Sequence, residues 1–252
     1  MRTSAPWLSV VIAASVTLTG CSGAQPASNE WGYVGAIGPQ NWGKLNPEYA
    51  TCGKGTEQSP VDIIRRAAVP GHTSLGVNYG PSNSVITNNG HTVEASATGP
   101  NFVTADGKKY DLAQMHFHSE SEHLLDGVSQ PVELHVVNKS SDGSLLVVGV
   151  FVKVGAENGA AQPFIEATSL GKGEKSSHAQ TITWAGLLPK VLDNFVYRES
   201  LTTPPCTEGV TWVVLRTPVE FSADQIARLQ KAYRGNNRPV QEIGSREIIQ
   251  WP

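Results

Sequence analysis

The apolar residues of this chain recur with a period of two, or in short unbroken runs, far more often than with the 3.6 period of helices. Tyr110 to His118, Val132 to Asn138 and Leu145 to Val154 therefore read as β-strands. In Gln114-Met115-His116-Phe117-His118 the polar side chains share one face, and Met115 and Phe117 take the other. In Glu133-Leu134-His135-Val136-Val137 one face carries Glu133, His135 and Val137. Leu145 to Val154 is almost wholly apolar, the pattern of a central strand buried on both faces. Val85 to Ala95 reads as a hairpin around Asn88-Asn89-Gly90, whose Asn-Gly favours a type I′ turn and puts His91 at the start of the returning strand. Gln58 to Ile63 is a loop running into a short strand. Leu201-Thr202-Thr203-Pro204-Pro205 is a fixed loop, because two adjacent prolines exclude regular structure; a strand from Gly209 through Trp212 to Leu215 follows. Helix signals are few. Ser222 to Gln225 is a capping box opening a helix buried through Ile226, Leu229 and Tyr233, and Pro163 to Leu170 is a shorter helix. The fold class is mostly β, of the α+β type.

The beginning of the chain follows a different pattern. Arg2 precedes an apolar run from Trp7 to Leu18 that is too short to span a bilayer comfortably, and Leu18-Thr19-Gly20-Cys21 follows. This reads as a secretory signal. Its ending resembles a bacterial lipoprotein signal, in which Cys21 becomes the lipidated first residue; a plain signal peptide is the alternative. The expected organisation is a signal over 1–20, a small, polar, lipidated tether over 21–29 and a single domain over 30–252, which contains no second composition break. The expected location is outside the cytosol, membrane-anchored and facing the periplasm or the cell exterior. A net charge of −3 gives no sign of a nucleic-acid surface. Of three cysteines, lipidation of Cys21 leaves Cys52 and Cys206. An exported protein can pair them, closing a loop with a chain-entropy value of about 5 kcal/mol, whereas two buried free thiols are the other reading.

If the two histidine-bearing strands are neighbours, His116, His118 and His135 converge. Three imidazoles with a fourth position open are a catalytic metal set. Gln114 and Glu133 would accept N–H bonds from the ring nitrogens facing away from the metal and fix their tautomers. Zinc suits neutral imidazoles best, with copper and cobalt as alternatives. The bland reading is three ordinary strand histidines beside polar neighbours. The aromatic segment from Trp31 through Tyr33 to Trp42 reads as a structural end-cluster.

The chain resembles the α-class carbonic anhydrases. The resemblance rests on Trp31-Gly32-Tyr33, Gln58-Ser59-Pro60-Val61-Asp62, Asn89-Gly90-His91, Gln114 to His118, Ser121-Glu122-His123, Glu133-Leu134-His135, Ser200 to Pro205 and Asn237-Arg238-Pro239. It implies a large, twisted, mainly antiparallel sheet of about ten strands. It implies Zn2+ on His116, His118 and His135, with Gln114, Glu133 and a backbone carbonyl near Asn236 behind them. Zinc hydroxide would then attack CO2, and bicarbonate and a proton would leave. Thr202 would be the gatekeeper hydroxyl donating to Glu122, and Thr203 would help position bicarbonate. Val137, Val147, Leu201, Val210 and Trp212 would form the apolar wall for CO2, and His91 would be the proton shuttle. Bacterial members usually carry a Cys52–Cys206-type disulfide and are often dimers, so a homodimer is expected. His123 is expected to be structural, beside Glu122; His72 and His178 read as loop residues without a role.

Two residues depart from the family pattern. Glu199 stands where glycine is common, and its Cβ disfavours positive φ before Leu201. Glu94 stands where a neutral amide is common; it is expected to raise the pKa of His91 or to repel bicarbonate. The competing functions are a catalytically silent relative that only binds, and an incidental zinc esterase.

Overall fold

The structure, a computed structural model, describes Met1, residues 29–71 and residues 75–251. Residues 2–28, which cover all but Met1 of the expected signal, Cys21 and most of the expected tether, lie outside the described residues, as does His72. No helix among the described residues is long and apolar enough to cross a membrane.

The centre of the molecule is an 11-stranded sheet. Its middle runs Asn194–Ser200, Glu208–Phe221, Leu145–Val154, Val132–Lys139, Lys108–His118, Val93–Ser96. Most pairings are antiparallel; Leu145–Val154 with Glu208–Phe221 and Ile249–Trp251 with Val69–Pro70 are parallel. Leu145–Val154 is buried from Leu146 through Val152 and lies between two long strands, as its unbroken apolar run requires. The expected helices form as Ala223–Tyr233, with its Ser222/Gln225 capping box, and Gln162–Ala167.

Strand parity divides the core. Met115, Phe117, Leu134, Val136, Val148, Val150, Val213 and Leu215 pack on one face of the sheet, against both helices. Val147, Phe151, Val210, Trp212 and Val214 pack on the other, with Val137 and Leu201 at their edge. The polar side chains of the histidine strands emerge on this second face.

Two sequence expectations change. The strand read as ending at Leu215 continues to Phe221. Its pairing register with Leu145–Val154 slips between Val150 and Val152, opposite the Arg216-Thr217-Pro218 segment, so a proline without an N–H is absorbed by a bulge. The hairpin strands are Ile86–Asn88 and Val93–Ser96, joined by four loop residues rather than a two-residue turn. Side-chain acceptors compete for the turn: Asn88 Oδ1 takes the Gly90 N–H, and Asn89 Oδ1 takes the N–H groups of His91 and Thr92. His91 therefore sits in the loop, not on the returning strand.

Cys52 and Cys206 are joined in a disulfide, with Cα atoms 5.0 Å apart. It packs with Trp42, Trp31 and Tyr33 at one end of the molecule.

Candidate active site and metal centre

Register brings the histidines together. His135 stands directly opposite His116, Glu133 opposite His118 and Val137 opposite Gln114. One metal-binding nitrogen of each of His116, His118 and His135 lies within 4.8 Å of the others, and Nε2 of His116 is 3.1 Å from Nε2 of His118. The other nitrogen of each ring is tied to the protein. His116 Nδ1 donates to Gln114 Oε1 at 2.8 Å, His118 Nδ1 to the Asn236 carbonyl at 2.7 Å and His135 Nε2 to Glu133 Oε1 at 3.0 Å. A carbonyl or carboxylate can only accept, so each outer nitrogen carries the hydrogen. Burial, with the neighbouring imidazoles, holds His116 well below its ordinary pKa; burial and His135 hold His118 down at about 3. An imidazole whose hydrogen sits on the outer nitrogen presents a lone pair on the inner one. Lone pairs converging at this spacing fit a divalent cation on nitrogen ligands, and zinc best.

Glu133 is the hub behind the ligands. Besides His135 it accepts His123 Nδ1 at 2.6 Å and the backbone N–H groups of Glu122 and His123, both at 2.9 Å. Burial alone would raise its carboxyl, but His123, His135 and their hydrogen bonds outweigh burial and hold it well below the usual range. His123 thus leans on Glu133 rather than on the side chain of Glu122. Its Nε2 meets Tyr197 Oη, which in turn meets Ser59 Oγ at 3.2 Å. Because His123 and His135 both donate to Glu133, the His123/Glu133/His135 grouping is a hydrogen-bonded support and not a second metal set.

Glu122 Oε1 accepts the Arg238 backbone N–H at 2.7 Å. Its Oε2 is buried without a close hydrogen-bond partner, 3.4 Å from His118 Nε2, and the Thr202 hydroxyl is near enough to favour its charged form. Burial is the larger influence and lifts the carboxyl to about 7. The Thr202 loop is self-closed, with Leu201 N donating to Thr207 O and Cys206 N to Thr203 O. Trp212 Nε1 fixes the loop's root by donating to Ser200 O at 2.8 Å.

A cleft of about 90 Å³ lies above the triad, bordered by His116, His118, Thr203, Glu94 and His91. The His91 ring stacks on Trp31, centroids 3.7 Å apart and planes 4° from parallel. The aromatic segment therefore forms part of the cleft mouth, beyond the structural cluster expected of it. Burial, then Lys172, lowers the pKa of His91, and Glu30 raises it. Glu94 is not among the charges acting on His91, and its own pKa is raised by burial. The expectation that Glu94 lifts His91 is corrected: burial and a lysine dominate that ring.

Glu199 also differs from its expected effect. It lies in the extended Asn194–Ser200 strand, outside the positive-φ residues, so its Cβ conflicts with nothing. Its carboxylate is buried 2.7 Å from Arg246 Nη1.

Sequence reading missed Gly149, Tyr197 and the guanidinium of Arg238. Gly149 stands opposite His135, and a Cβ there would come 3.0 Å from Glu133 Oε1. A lone glycine inside an apolar strand was the available signal. Tyr197 and Arg238 carry no local signal of their contacts.

The sheet and site together bring three strand histidines that could hold a metal ion to one small cleft. A family model for eukaryotic-type carbonic anhydrase matches residues 37–251, and the chain belongs to that family, the α-class carbonic anhydrases. It is 38% identical to a carbonic anhydrase of Nostoc sp., over 91% of this chain and 89% of that one. The α-carbonic anhydrase of Thermovibrio ammonificans, solved with sulfanilamide, superposes with a TM-score of 0.83 at 40% identity, covering 87% of this chain and 98% of that one. A dioscorin solved with ascorbate matches at 0.82 and 30% identity, covering 88% and 98%. A relative under another name shares the fold, so activity is decided at the site.

Proposed function

We propose that this protein catalyses the reversible hydration of CO2 to bicarbonate and a proton, with zinc held by His116, His118 and His135. The observation that carries this is the convergence of three ring nitrogens whose opposite nitrogens are bonded to Gln114, Asn236 and Glu133. When bound, zinc supplies a Lewis acid that lets a water lose its proton near neutral pH, a property established for carbonic anhydrases.

The chain's own residues do the rest. Glu122 draws the single proton of the Thr202 hydroxyl, so the threonine oxygen accepts a hydrogen bond from the nucleophile and aims its lone pair. Val137, Val147, Leu201, Val210 and Trp212 belong to one apolar cluster, with Trp212 against the His135 ring, and would offer an uncharged, weakly polar substrate an apolar wall. Thr203 borders the cleft and would hydrogen-bond the anionic product. His91, at the mouth, has an imidazole that can take up the released proton and pass it outward, burial and Lys172 disfavouring its charged form so that the proton is readily given up. The test is stopped-flow CO2 hydration with zinc content determined on the same sample. The expected result is one zinc per chain and fast hydration, lost on chelation and in His118→Ala. Zinc bound by wild-type protein without hydration would overturn the catalytic reading in favour of a silent binding protein.

Export and lipid anchoring at Cys21 are part of the proposal. They are supported by the signal-like start of the chain and by the Cys52–Cys206 disulfide, which suits an oxidising compartment. Cys21→Ser should release the protein from membranes; retention of the variant there would refute the anchor.

A further inference from the structure

A second cleft, of about 450 Å³, opens between the short helices Trp42–Leu45 and Thr51–Lys54 and the Arg238–Gln241 segment. The helices touch glycine to glycine: a Cβ on Gly43 would come 2.8 Å from Gly53 N. The residue after each glycine is a lysine, so this close approach brings Lys44 and Lys54 to the rim of one cavity. Arg238 lies at its base. No carboxylate lines the cavity, and among the described residues none of the three cations is in an ion pair.

Arg238 is the unusual member, being 2% exposed. Its guanidinium donates only to neutral oxygens: Ser59 O at 2.7 Å, Cys52 O at 3.0 Å and Gln58 Oε1 at 2.9 Å. The nearby acids are engaged elsewhere. Glu122 takes the Arg238 backbone N–H, and Glu208 takes Gln58 Nε2 and the Glu57 N–H. A buried charge is ordinarily paired, and burial has already lowered the pKa of Arg238 to about 10. Only the attraction of Glu122, which makes no ion-pair contact with it, offsets that burial, so a guanidinium beneath an open cavity rimmed by two unpaired lysines leaves room for an anion. A protein with a net charge of −3 gives no general reason for a carboxylate-free basic cavity.

We propose that this cleft is an anion site distinct from the metal centre, taking a small multivalent oxyanion of the phosphate type between Lys44 and Lys54 and above Arg238. Its occupant sits behind the catalytic face. The Arg238 N–H holds Glu122, and Cys52 in the cleft wall is bonded to Cys206, whose N–H closes the Thr203 loop.

The experiment is calorimetric titration of inorganic phosphate into the zinc-loaded protein at low ionic strength. The variants are Lys44→Met/Lys54→Met and, as a control for general surface charge, Lys139→Met/Lys190→Met. Phosphate bound at the metal centre is common to all three proteins, so the difference between isotherms reports the cleft. The expected result is a binding event in wild type and control that weakens at least tenfold without Lys44 and Lys54, and weakens with added salt. The CO2 hydration rate without phosphate should be unchanged in the cleft variant. Identical isotherms for wild type and cleft variant, or an equal loss in the control, would overturn the site. Loss of hydration in every protein would count against the catalytic reading alone, since the binding readout needs no turnover.

Discussion

At the scale of single residues, the metal centre is decided by acceptors as much as by histidines. A histidine can offer either nitrogen; Gln114, Asn236 O and Glu133 choose which one by taking the other's hydrogen. Removing such an acceptor commonly costs about 10–100-fold in metal affinity or activity. Gln114→Ala should therefore release zinc to a competing chelator at the lower end of that range. Glu133→Ala, which strands two imidazoles and two backbone N–H groups, should release it at the upper end or beyond. Equal zinc affinity in wild type and both variants would show that the strands alone set the geometry. His91 offers a separate check on charge. Lys172 disfavours its protonated form and Glu30 favours it. Lys172→Met should raise the His91 pKa, Glu30→Gln should lower it and Glu94→Gln should leave it in place, as read by NMR titration of the ring. The three histidines and their two side-chain acceptors were legible in sequence because strand parity is local. The His123–Tyr197–Ser59 chain was not, because its members come from segments far apart whose approach is a property of the folded sheet.

At the scale of elements, the central Leu145–Val154 strand serves both core and site. Its even-numbered residues from Leu146 to Val152 fill one core face, while Val147, Gly149 and Phe151 face the metal side. Its apolar run foretold the burial but not the reason for Gly149, which emerges only when Glu133 is seen in the space a Cβ would take. Gly149→Ala should push the Glu133 carboxylate off His135 and lower zinc affinity by about tenfold, the smaller end of such supporting-residue effects. Unchanged metal retention would mean that the strand shifts to admit a methyl group. The boundaries misread from sequence have equally local causes: Pro218 is absorbed at a bulge, and asparagine side chains remodel the Asn89–Gly90 turn. The disulfide joins residues 154 apart in sequence and anchors the aromatic end-cluster to the Thr203 loop. Cys52→Ser/Cys206→Ser should lose about 2–5 kcal/mol in denaturant unfolding, the usual range for a native bridge. Wild type should lose a similar amount when reductant is added, and the variant none.

At the scale of the whole molecule, the large sheet separates an apolar half from a half that tolerates buried charge, and Glu199 tests that tolerance on a strand that carries none of the three histidines. The sequence marked this residue as a departure but suggested a backbone conflict; the strand is extended, and the cost lies in desolvation instead. Burial raises the carboxyl from 4.5 to about 8, against the opposing pull of Arg246 and with a further push from Glu57. The consequence has a definite sign. Below the unfolded pKa of 4.5, Glu199 is protonated folded and unfolded, and contributes no pH dependence. Between 4.5 and about 8 the folded state keeps a proton that the unfolded state releases, so stability falls as pH rises; above about 8 the penalty is complete and constant. Glu199→Gln removes the ionisation while keeping size and a hydrogen-bond acceptor for Arg246. Wild type and variant should therefore show a stability difference that moves steadily in favour of glutamine from pH 4.5 to 8 and then levels off, measured by chemical denaturation at each pH. A difference that is flat, or that favours glutamate increasingly with pH, would mean that the Arg246 pairing outweighs burial and that the ion pair stabilises the domain. Other ionisations, including those beside the three histidines, are common to both proteins and cancel in the comparison, which isolates one buried carboxylate.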